Sequence, residues 1–368
     1  MTNDPGALVG VAGQRGFMAF LDRVLDPPSY GYLRNQKLYV PSHAEIFREF
    51  FTRLNIFKSR KNWLPLFSWA VVLVLAPFFF LFLFHYFTWE LFLIAFLYSM
   101  VILGTHGTIY LHRYSTHHAF TFKNRFWLFI LRNLVIKLIP EEVYVVSHHV
   151  HHYISEKPGD PYNVYGGWLY CFLADVNHQS IAKDFSKEEY LKAATLVRHT
   201  DMGVNSYEQY QRWGSIAHPV RTFFQFTLNW AFWFGAFYLI GGIPLAVTLF
   251  GASAFWAVGV RTFNFDGHGG GKDKRKEGID FNRSDLSINQ LWPGLVTGEW
   301  HNNHHLYPSG IRAGFLPYQW DYAWLFIVVY KWIGAIDNLR DYKDQFYTKH
   351  YEPYLRQKAL EKAQGHTA

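Results

Sequence analysis

Residues 63–87 read WLPLFSWAVVLVLAPFFFLFLFHYF and carry no Lys, Arg, Asp or Glu side chain. A helix of these 25 residues is long enough to cross the hydrocarbon core of a bilayer with some tilt. We therefore expect this stretch to be a transmembrane helix, and we expect Pro77 to kink it. The fold of the chain then depends on how many similar stretches accompany it.

Three further long apolar stretches accompany it, at residues 91–111, 223–240 and 243–263. A link of a few residues that ends at Glu90 joins the first two stretches, and the pair Gly241-Gly242 joins the last two. Links this short make each pair a helical hairpin. The sequence therefore predicts an all-α integral membrane protein with four transmembrane helices in two hairpins.

Basic residues predict the orientation of these helices. The net charge of the chain is +7, which alone would permit a nucleic-acid partner, but its Lys and Arg side chains flank the apolar stretches and are absent from both hairpin tips. The positive-inside rule then places both termini and the segments 112–222 and 264–340 in the cytoplasm, next to an inner or cytoplasmic membrane. We expect the bilayer, and no nucleic acid, as the partner of this charge. The flanking residues are Lys58, Arg60, Lys61, Arg113, Lys123, Arg125, Lys272, Lys274, Arg275 and Lys276.

We interpret residues 63–340 as one domain, preceded by a cytoplasmic segment at 1–62 and followed by a cytoplasmic tail at 341–368. Segments 112–222 and 264–340 would form a helical cap on the membrane helices. Within the cap, Phe126–Ile139 and Tyr322–Ile336 are too short or too polar to span, and we expect both to be amphipathic helices at the interface. The single cysteine, Cys171, excludes an intrachain disulfide and a cysteine-based metal site.

Histidines concentrate in three groups beside these apolar stretches. Imidazole is the commonest protein ligand for redox-capable transition metals, so the groups predict one polynuclear metal site. In the second and third groups the spacing i, i+3, i+4 places three imidazoles on one helical face. The groups are His112, His117 and His118; His148, His149, His151 and His152; and His301, His304 and His305.

Other histidine positions need separate interpretations. His112 and His117 are five residues apart, so we expect the helix to end near Tyr114 and His117 to lie in the following turn. His118 and His149 point away from the shared faces, and His106 is expected to pack within its helix. The glycines around His268 indicate that a helix stops there, where bare backbone allows close approach.

These motifs resemble a known family. HRYSTH (112–117), HHVHH (148–152) and HNNHH (301–305) resemble the three histidine boxes of the integral-membrane fatty acid desaturases, and within them the stearoyl-CoA desaturase branch. The resemblance implies two iron ions and an extra histidine and asparagine between the last two boxes. The ligands that it implies are His112, His117, His148, His151, His152, His268, His301, His304 and His305, with Asn264 acting through water.

Imidazole ligands need hydrogen-bond acceptors behind them. We consider Asp160, Asp266 and Glu299 as candidates, although each could equally be a solvated loop or cap carboxylate. An acyl chain would enter through an apolar cleft, and Trp168, Trp256 and Trp300 are candidate wall residues, although ordinary core packing explains them as well.

The resemblance implies O₂ as co-substrate and an external electron donor. No flavin or nicotinamide motif is present in the chain, so a ferredoxin-like or rubredoxin-like protein with its reductase would supply the electrons. Fatty acyl desaturation is the first interpretation, on a CoA thioester or a free acid. The alternatives are oxidative decarboxylation of a free fatty acid to a 1-alkene and hydroxylation. A metal transporter or a zinc hydrolase fits less well, because the apolar stretches lack an ion path and the ligands exceed the needs of one zinc.

Overall fold

A computed structural model describes residues 20–290 and 300–365 of the chain. The described part is mostly helical, with two two-stranded antiparallel sheets, Leu33–Arg34 with Lys37–Leu38 and Thr121–Phe122 with Ile336–Asp337. Among the described residues, three helices are long and apolar enough to cross a membrane: Arg60–Tyr86, Trp89–Thr116 and Pro219–Gly267. The architecture agrees with the prediction of an all-α membrane protein.

The chain divides into two compact units that cut across the predicted domain. The first comprises the described residues of Met1–Ser99 and Val135–Phe265, and the second those of Met100–Leu134 and Asp266–Ala368. Helices of the first unit are α1 (His43–Leu54), α2 (Trp63–Leu81), α5 (Glu141–Ile154), α6 (Trp168–Phe172), α7 (Ala174–Asn177), α8 (Lys187–Thr195), α9 (Tyr207–Trp213), α10 (Pro219–Gly259) and α11 (Phe263–Gly267, which ends in the second unit). Helix α3 (Trp89–Ile102) begins in the first unit. Helices of the second unit are α4 (Arg125–Asn133), α12 (His301–Leu306), α13 (Tyr322–Trp332), α14 (Lys343–Phe346) and α15 (Glu352–Ala363).

Short 3₁₀ and π segments connect or extend these helices. The 3₁₀ turns are Arg60–Asn62, Val164–Gly166, Arg198–Thr200, Val260–Thr262 and Gly269–Gly271. The π-helical segments are Phe82–Tyr86 after α2, Leu103–Thr116 after α3 and Tyr347–Tyr351 before α15. Helix α2 continues through Pro77 to Leu81 and its π-helical extension ends at Tyr86, close to the end predicted for the first apolar stretch.

The third long helix contains a backbone break. Gly241 (φ −144°, ψ 21°) and Gly242 (φ 67°, ψ −166°) depart from helical geometry, and the positive φ of Gly242 is one that residues with a Cβ rarely adopt. The break falls on the glycine pair that the sequence analysis takes as a hairpin tip. Further along α10, Gly251 lets this helix approach α2, since a Cβ built there would lie 3.0 Å from the Cα of Phe79.

Both predicted interfacial helices are shorter than expected. Helix α4 ends at Asn133, and it exposes Phe126 and Phe129 while it buries Leu128. The remaining part of the predicted helix holds Lys137, which is buried and lies 3.4 Å from the Glu141 carboxylate. The predicted amphipathic helix therefore does not extend to Lys137, whose charge is paired with a buried carboxylate instead of facing solvent. Helix α13 ends at Trp332 instead of Ile336.

Helix α5 carries the second histidine group and is anchored on its opposite side by apolar packing. Val143, Val146, Val150 and Ile154 recur at helical spacing and lie in the main core of the first unit, with side chains from α8 and α9. One face of α5 is therefore fixed by burial of apolar surface. That packing leaves a different face for the imidazoles.

A buried carboxyl group anchors the start of α5. The Glu142 Oε2 atom accepts hydrogen bonds from the Ser215 hydroxyl at 2.5 Å and from the Ala217 backbone N–H at 2.8 Å. Burial raises the pKa of the Glu142 carboxyl from 4.5 to about 7, although its hydrogen bonds act in the opposite direction. The folded protein thus keeps Glu142 protonated at acidities where an unfolded chain has already released the proton.

This shift predicts a pH-dependent stability that glutamine at position 142 removes. A carboxyl whose pKa is raised on folding stabilises the protein fully below about 4.5, and that contribution is lost as the pH rises to about 7. We expect the thermal unfolding midpoint of the wild-type protein in detergent, measured by circular dichroism, to decrease as the pH is raised from 5 to 7.5. The midpoint of Glu142→Gln should decrease less over the same range. Parallel curves for the two proteins would show that Glu142 ionises as an exposed carboxyl does.

Candidate metal centre

The second histidine group lies on α5 as predicted. The Nε2 atoms of His148 and His152 are 3.2 Å apart, and their rings meet edge to face with centroids 4.7 Å apart. His151 lies on the same helix with its ring 5.6 Å from that of His152. The i, i+3, i+4 spacing therefore does bring the three imidazoles to one face of a regular helix.

A fully buried carboxylate, Asp160, contacts this group. Its Oδ1 atom lies 2.9 Å from the His151 Nδ1 atom. The backbone N–H groups of Tyr162 and Glu156 donate to the two carboxylate oxygens at 2.9 Å and 2.7 Å, so the carboxylate has a fixed direction. Asp160 is thus in the position of a supporting carboxylate that orients an imidazole through Nδ1 and leaves Nε2 for a metal ion.

The first histidine group has a geometry that differs from the expectation. After α3 the helix widens into the π-helical segment Leu103–Thr116, and the His117 N–H donates to the His112 carbonyl oxygen at 3.1 Å. A π-helix closes its hydrogen bonds between residues i and i+5, which brings residues five apart onto one face. The rings of His112 and His117 consequently lie 4.8 Å apart. The segment ends at Thr116, within two residues of the predicted end near Tyr114, and His117 follows it in a turn as predicted.

His304 on α12 joins His112 and His117 in the second unit. The Nε2 atoms of His112 and His304 are 3.0 Å apart, and the rings of His117 and His304 are 4.9 Å apart. A metal–imidazole bond of about 2.1 Å separates two ligand nitrogens at right angles by about 3.0 Å. The three side chains, each with a ligand nitrogen within 4.8 Å of the others, therefore have the spacing of ligands to one ion.

A second triad in the same unit consists of His268, His301 and His305. Its ring centroids are 4.8 Å (His268–His301), 4.8 Å (His268–His305) and 4.4 Å (His301–His305) apart. Helix α11 ends at Gly267, which confirms the predicted stop before His268. A Cβ at Gly267 would lie 2.8 Å from the His301 ring, so bare backbone here makes room for an imidazole.

The carboxylate beside this triad is one that the sequence analysis missed. Asp285 Oδ2 lies 2.8 Å from His305 Nδ1, and the Asp285 side chain is 7 % exposed. Burial alone would raise the pKa of Asp285, but the neighbouring imidazoles of His305 and His268 and the hydrogen bonds from His305 and Ser287 together hold the pKa far below its usual value. Asp266, the predicted neighbour, is exposed, and Glu299 lies outside the described residues.

The remaining candidates occupy varied positions. Asn264 Oδ1 is buried and has no hydrogen-bond partner among the described residues, which fits a contact through water. Trp168 is 49 % exposed and stacks on Phe172. Trp256 is buried, and so is Trp300, whose indole N–H donates to the Trp320 carbonyl oxygen at 3.2 Å.

The donor set has a definite chemical character. It consists of clustered imidazoles, and two of them have a carboxylate at Nδ1. The single thiol, Cys171, is buried and donates to the Tyr162 carbonyl oxygen at 3.3 Å. Imidazole without thiolate favours iron, zinc, copper or nickel. Comparison with known proteins adds a family assignment. The family model described as "Fatty acid desaturase" matches residues 87–326. This chain belongs to the fatty acid desaturase family.

Curated relatives of this desaturase family member agree with that assignment. The chain is 26% identical over 262 residues to an "Acyl-CoA C20 Delta5-desaturase" of Anemone leveillei, which covers 69% of the chain and 75% of the relative. It is 23% identical over 268 residues to an "sn-1 stearoyl-lipid 9-desaturase" of Synechocystis sp., with 70% and 74% covered. A "Delta-9 desaturase-like 1 protein" of Arabidopsis thaliana is 24% identical over 199 residues, with 54% and 59% covered.

The position of Asp160 generates a prediction for this desaturase family member. The Asp160 carboxylate contacts three N–H donors. In Asp160→Asn an NH₂ group replaces one carboxylate oxygen, so at least one buried N–H loses its acceptor at a cost of about 1–3 kcal/mol. We expect Asp160→Asn to lower the thermal unfolding midpoint and to weaken Fe²⁺ binding by about tenfold or more, measured by titration against a chelator. The control is Asp184→Asn, whose carboxylate is 77% exposed. Equal iron affinity in both variants would remove Asp160 from the metal site.

Proposed function

We propose that this protein desaturates a fatty acyl chain with O₂ at a diiron centre held by histidine. The ligand set in this proposal is His112, His117, His148, His151, His152, His268, His301, His304 and His305, with Asn264 through water. The observation that carries it is the convergence of imidazole nitrogens to about 3 Å, as in His112 and His304, within a chain of the fatty acid desaturase family.

The need for metal follows from the reaction class. Removal of hydrogen from an unactivated methylene is beyond any acid, base or nucleophile among the side chains, and bound iron with O₂ and two electrons would supply the oxidant. The protein's own contribution is to hold each imidazole in one orientation. Asp160 and Asp285 do so for His151 and His305, because a carboxylate at Nδ1 holds the proton there and leaves the Nε2 lone pair available.

The substrate is proposed to be a fatty acyl chain drawn from the bilayer. Three long apolar helices support this, and the relatives above are named for acyl-CoA and for stearoyl-lipid substrates. The form of the acyl carrier is thus a matter for experiment. We propose Trp168, Trp256 and Trp300 as contacts of the acyl chain, and a ferredoxin-like or rubredoxin-like protein with its reductase as the electron donor.

Product analysis tests this proposal. The purified protein, reconstituted with iron and supplied with a ferredoxin, its reductase and O₂, would be given stearic acid and stearoyl-CoA in parallel. We expect an internal alkene of unchanged chain length, identified by mass spectrometry. A terminal alkene with CO₂ would show that the reaction is decarboxylation instead of desaturation, and a hydroxy acid would show that it is hydroxylation. Zinc in place of iron in the active protein would overturn the diiron assignment.

Ligand variants sharpen this test. We expect His151→Ala and His304→Ala to lose activity and most bound iron, because each removes an imidazole from a buried position. His43→Ala is the matched control, since His43 is exposed at the start of α1. Full iron content and activity in His304→Ala would exclude His304 as a ligand.

We also propose that α10 crosses the membrane twice, which gives four spans with both termini and the histidines on the cytoplasmic side. The break at Gly241 and Gly242 supports two crossings, and the absence of Lys and Arg from both hairpin tips supports the orientation. Glu90 lies at the first tip and Lys187 at the start of α8, and both side chains are exposed.

Single introduced cysteines test this orientation, because the natural Cys171 is buried. In intact bacterial cells we expect a membrane-impermeant maleimide to label Glu90→Cys, and to label Lys187→Cys only after the membrane is permeabilised. Labelling of both variants in intact cells, or of Lys187→Cys alone, would contradict the proposed orientation.

A further inference from the structure

The two asparagines of the third histidine group make hydrogen bonds to backbone groups and side-chain amides, and not to imidazoles. Asn302 and Asn303 are both fully buried on α12. The Asn302 side-chain amide donates to the carbonyl oxygens of Asn282 and Ser287 at 2.9 Å and 2.7 Å, and its Oδ1 atom accepts the Asn282 N–H at 2.9 Å. One side chain therefore binds both ends of the segment 282–287.

That segment carries Asp285. Its Oδ1 atom accepts hydrogen bonds from the Asn282 side-chain amide at 2.9 Å and from the Ser287 N–H at 3.0 Å, while the Ser287 hydroxyl donates to the same atom at 2.5 Å. Arg275 donates to the Asp285 carbonyl oxygen at 2.7 Å. These bonds leave Oδ2 for His305 Nδ1 at 2.8 Å.

We propose that Asn302 is a positioning residue that acts through Asp285 on His305. The inference rests on the proposed function, because it requires His305 to bind iron through Nε2. Asn302 fixes the segment, the segment fixes the Asp285 carboxylate, and the carboxylate keeps the proton of His305 on Nδ1. The asparagine between two ligand histidines thus acts on the metal site without facing it.

The chemistry of the amide explains the residue type. Closing the segment requires one acceptor and two donors at one position, and an asparagine side chain provides both from a single plane. Aspartate offers no donor to the Asn282 and Ser287 carbonyl oxygens, and alanine offers no polar atom. A segment released in this way lets Asp285 move, and the imidazole tautomer then has no fixed acceptor to define it.

Asn303 provides a matched control on the same helix. Its side-chain amide donates to the Ala313 carbonyl oxygen at 2.7 Å and to Gln319 Oε1 at 2.8 Å, and its Oδ1 atom accepts from the Asn289 amide at 3.0 Å. It has the same burial and a similar number of hydrogen bonds as Asn302, but its partners are not those that hold the Asp285 carboxylate. Loss of either asparagine disturbs packing to a similar degree, and only one disturbs the route to His305.

A double-mutant cycle in the full-length, iron-loaded protein tests the proposal. We expect Asn302→Ala and Asp285→Asn each to weaken iron binding by about tenfold to a hundredfold and to change the Mössbauer spectrum of one iron. In the Asp285→Asn background, Asn302→Ala should weaken iron binding by less than about twofold, because both act on one contact. Asn303→Ala should lower the thermal unfolding midpoint and leave the spectrum unchanged.

A milder variant guards against misfolding. Ser287→Ala removes one donor to Asp285 and keeps the Ser287 carbonyl that Asn302 binds, so we expect a smaller loss of iron affinity and the same spectral change. Additive effects in the cycle, or a spectral change in Asn303→Ala as large as in Asn302→Ala, would overturn the proposal. A wild-type protein that binds no iron contradicts the proposed function. Wild-type iron binding with unaltered Asn302→Ala and Ser287→Ala spectra contradicts this inference alone.

Discussion

The direction of each buried imidazole is the constraint on which the candidate site depends. A neutral imidazole has one protonated nitrogen and one lone pair, and the acceptor at the first decides where the second points. His151 and His305 both meet a buried carboxylate at Nδ1, at 2.9 Å and 2.8 Å. Those carboxylates are themselves held by backbone N–H groups. These two imidazoles are therefore oriented by carboxylates at Nδ1, on the side of the ring away from Nε2.

Helix geometry sets which imidazoles meet. On α5 a regular α-helix brings His148 and His152 together, as spacing alone predicts. The first group needs a wider helix, because His112 and His117 are five residues apart and meet only where the hydrogen bonds run from i to i+5. Sequence spacing read with the α-helical period could not predict this. The five-residue interval is itself the signal of a π-helical turn.

The predictable part of the site is the part formed by near neighbours in sequence. The apolar stretches, the shared face of α5 and the helix stop before His268 all follow from local patterns, and so does Asp160, which comes nine residues after the histidine that it contacts. Asp285 precedes His305 by twenty residues and lies outside the helix that carries this histidine. No periodicity relates the two, and the burial of Lys137 likewise depends on tertiary contacts that local sequence patterns do not show.

Helix α5 shows how stability and chemistry share one element. Its valine stripe and Glu142 fix the helix in the core of the first unit, while its histidines occupy another face. Burying imidazoles and carboxylates costs free energy that only paired hydrogen bonds recover. Apolar packing on the opposite face must therefore hold α5 in place before any metal ion binds. Helix α12 has only six residues and is too short to present an apolar stripe. The side-chain hydrogen bonds of Asn302 and Asn303 hold this helix in place instead.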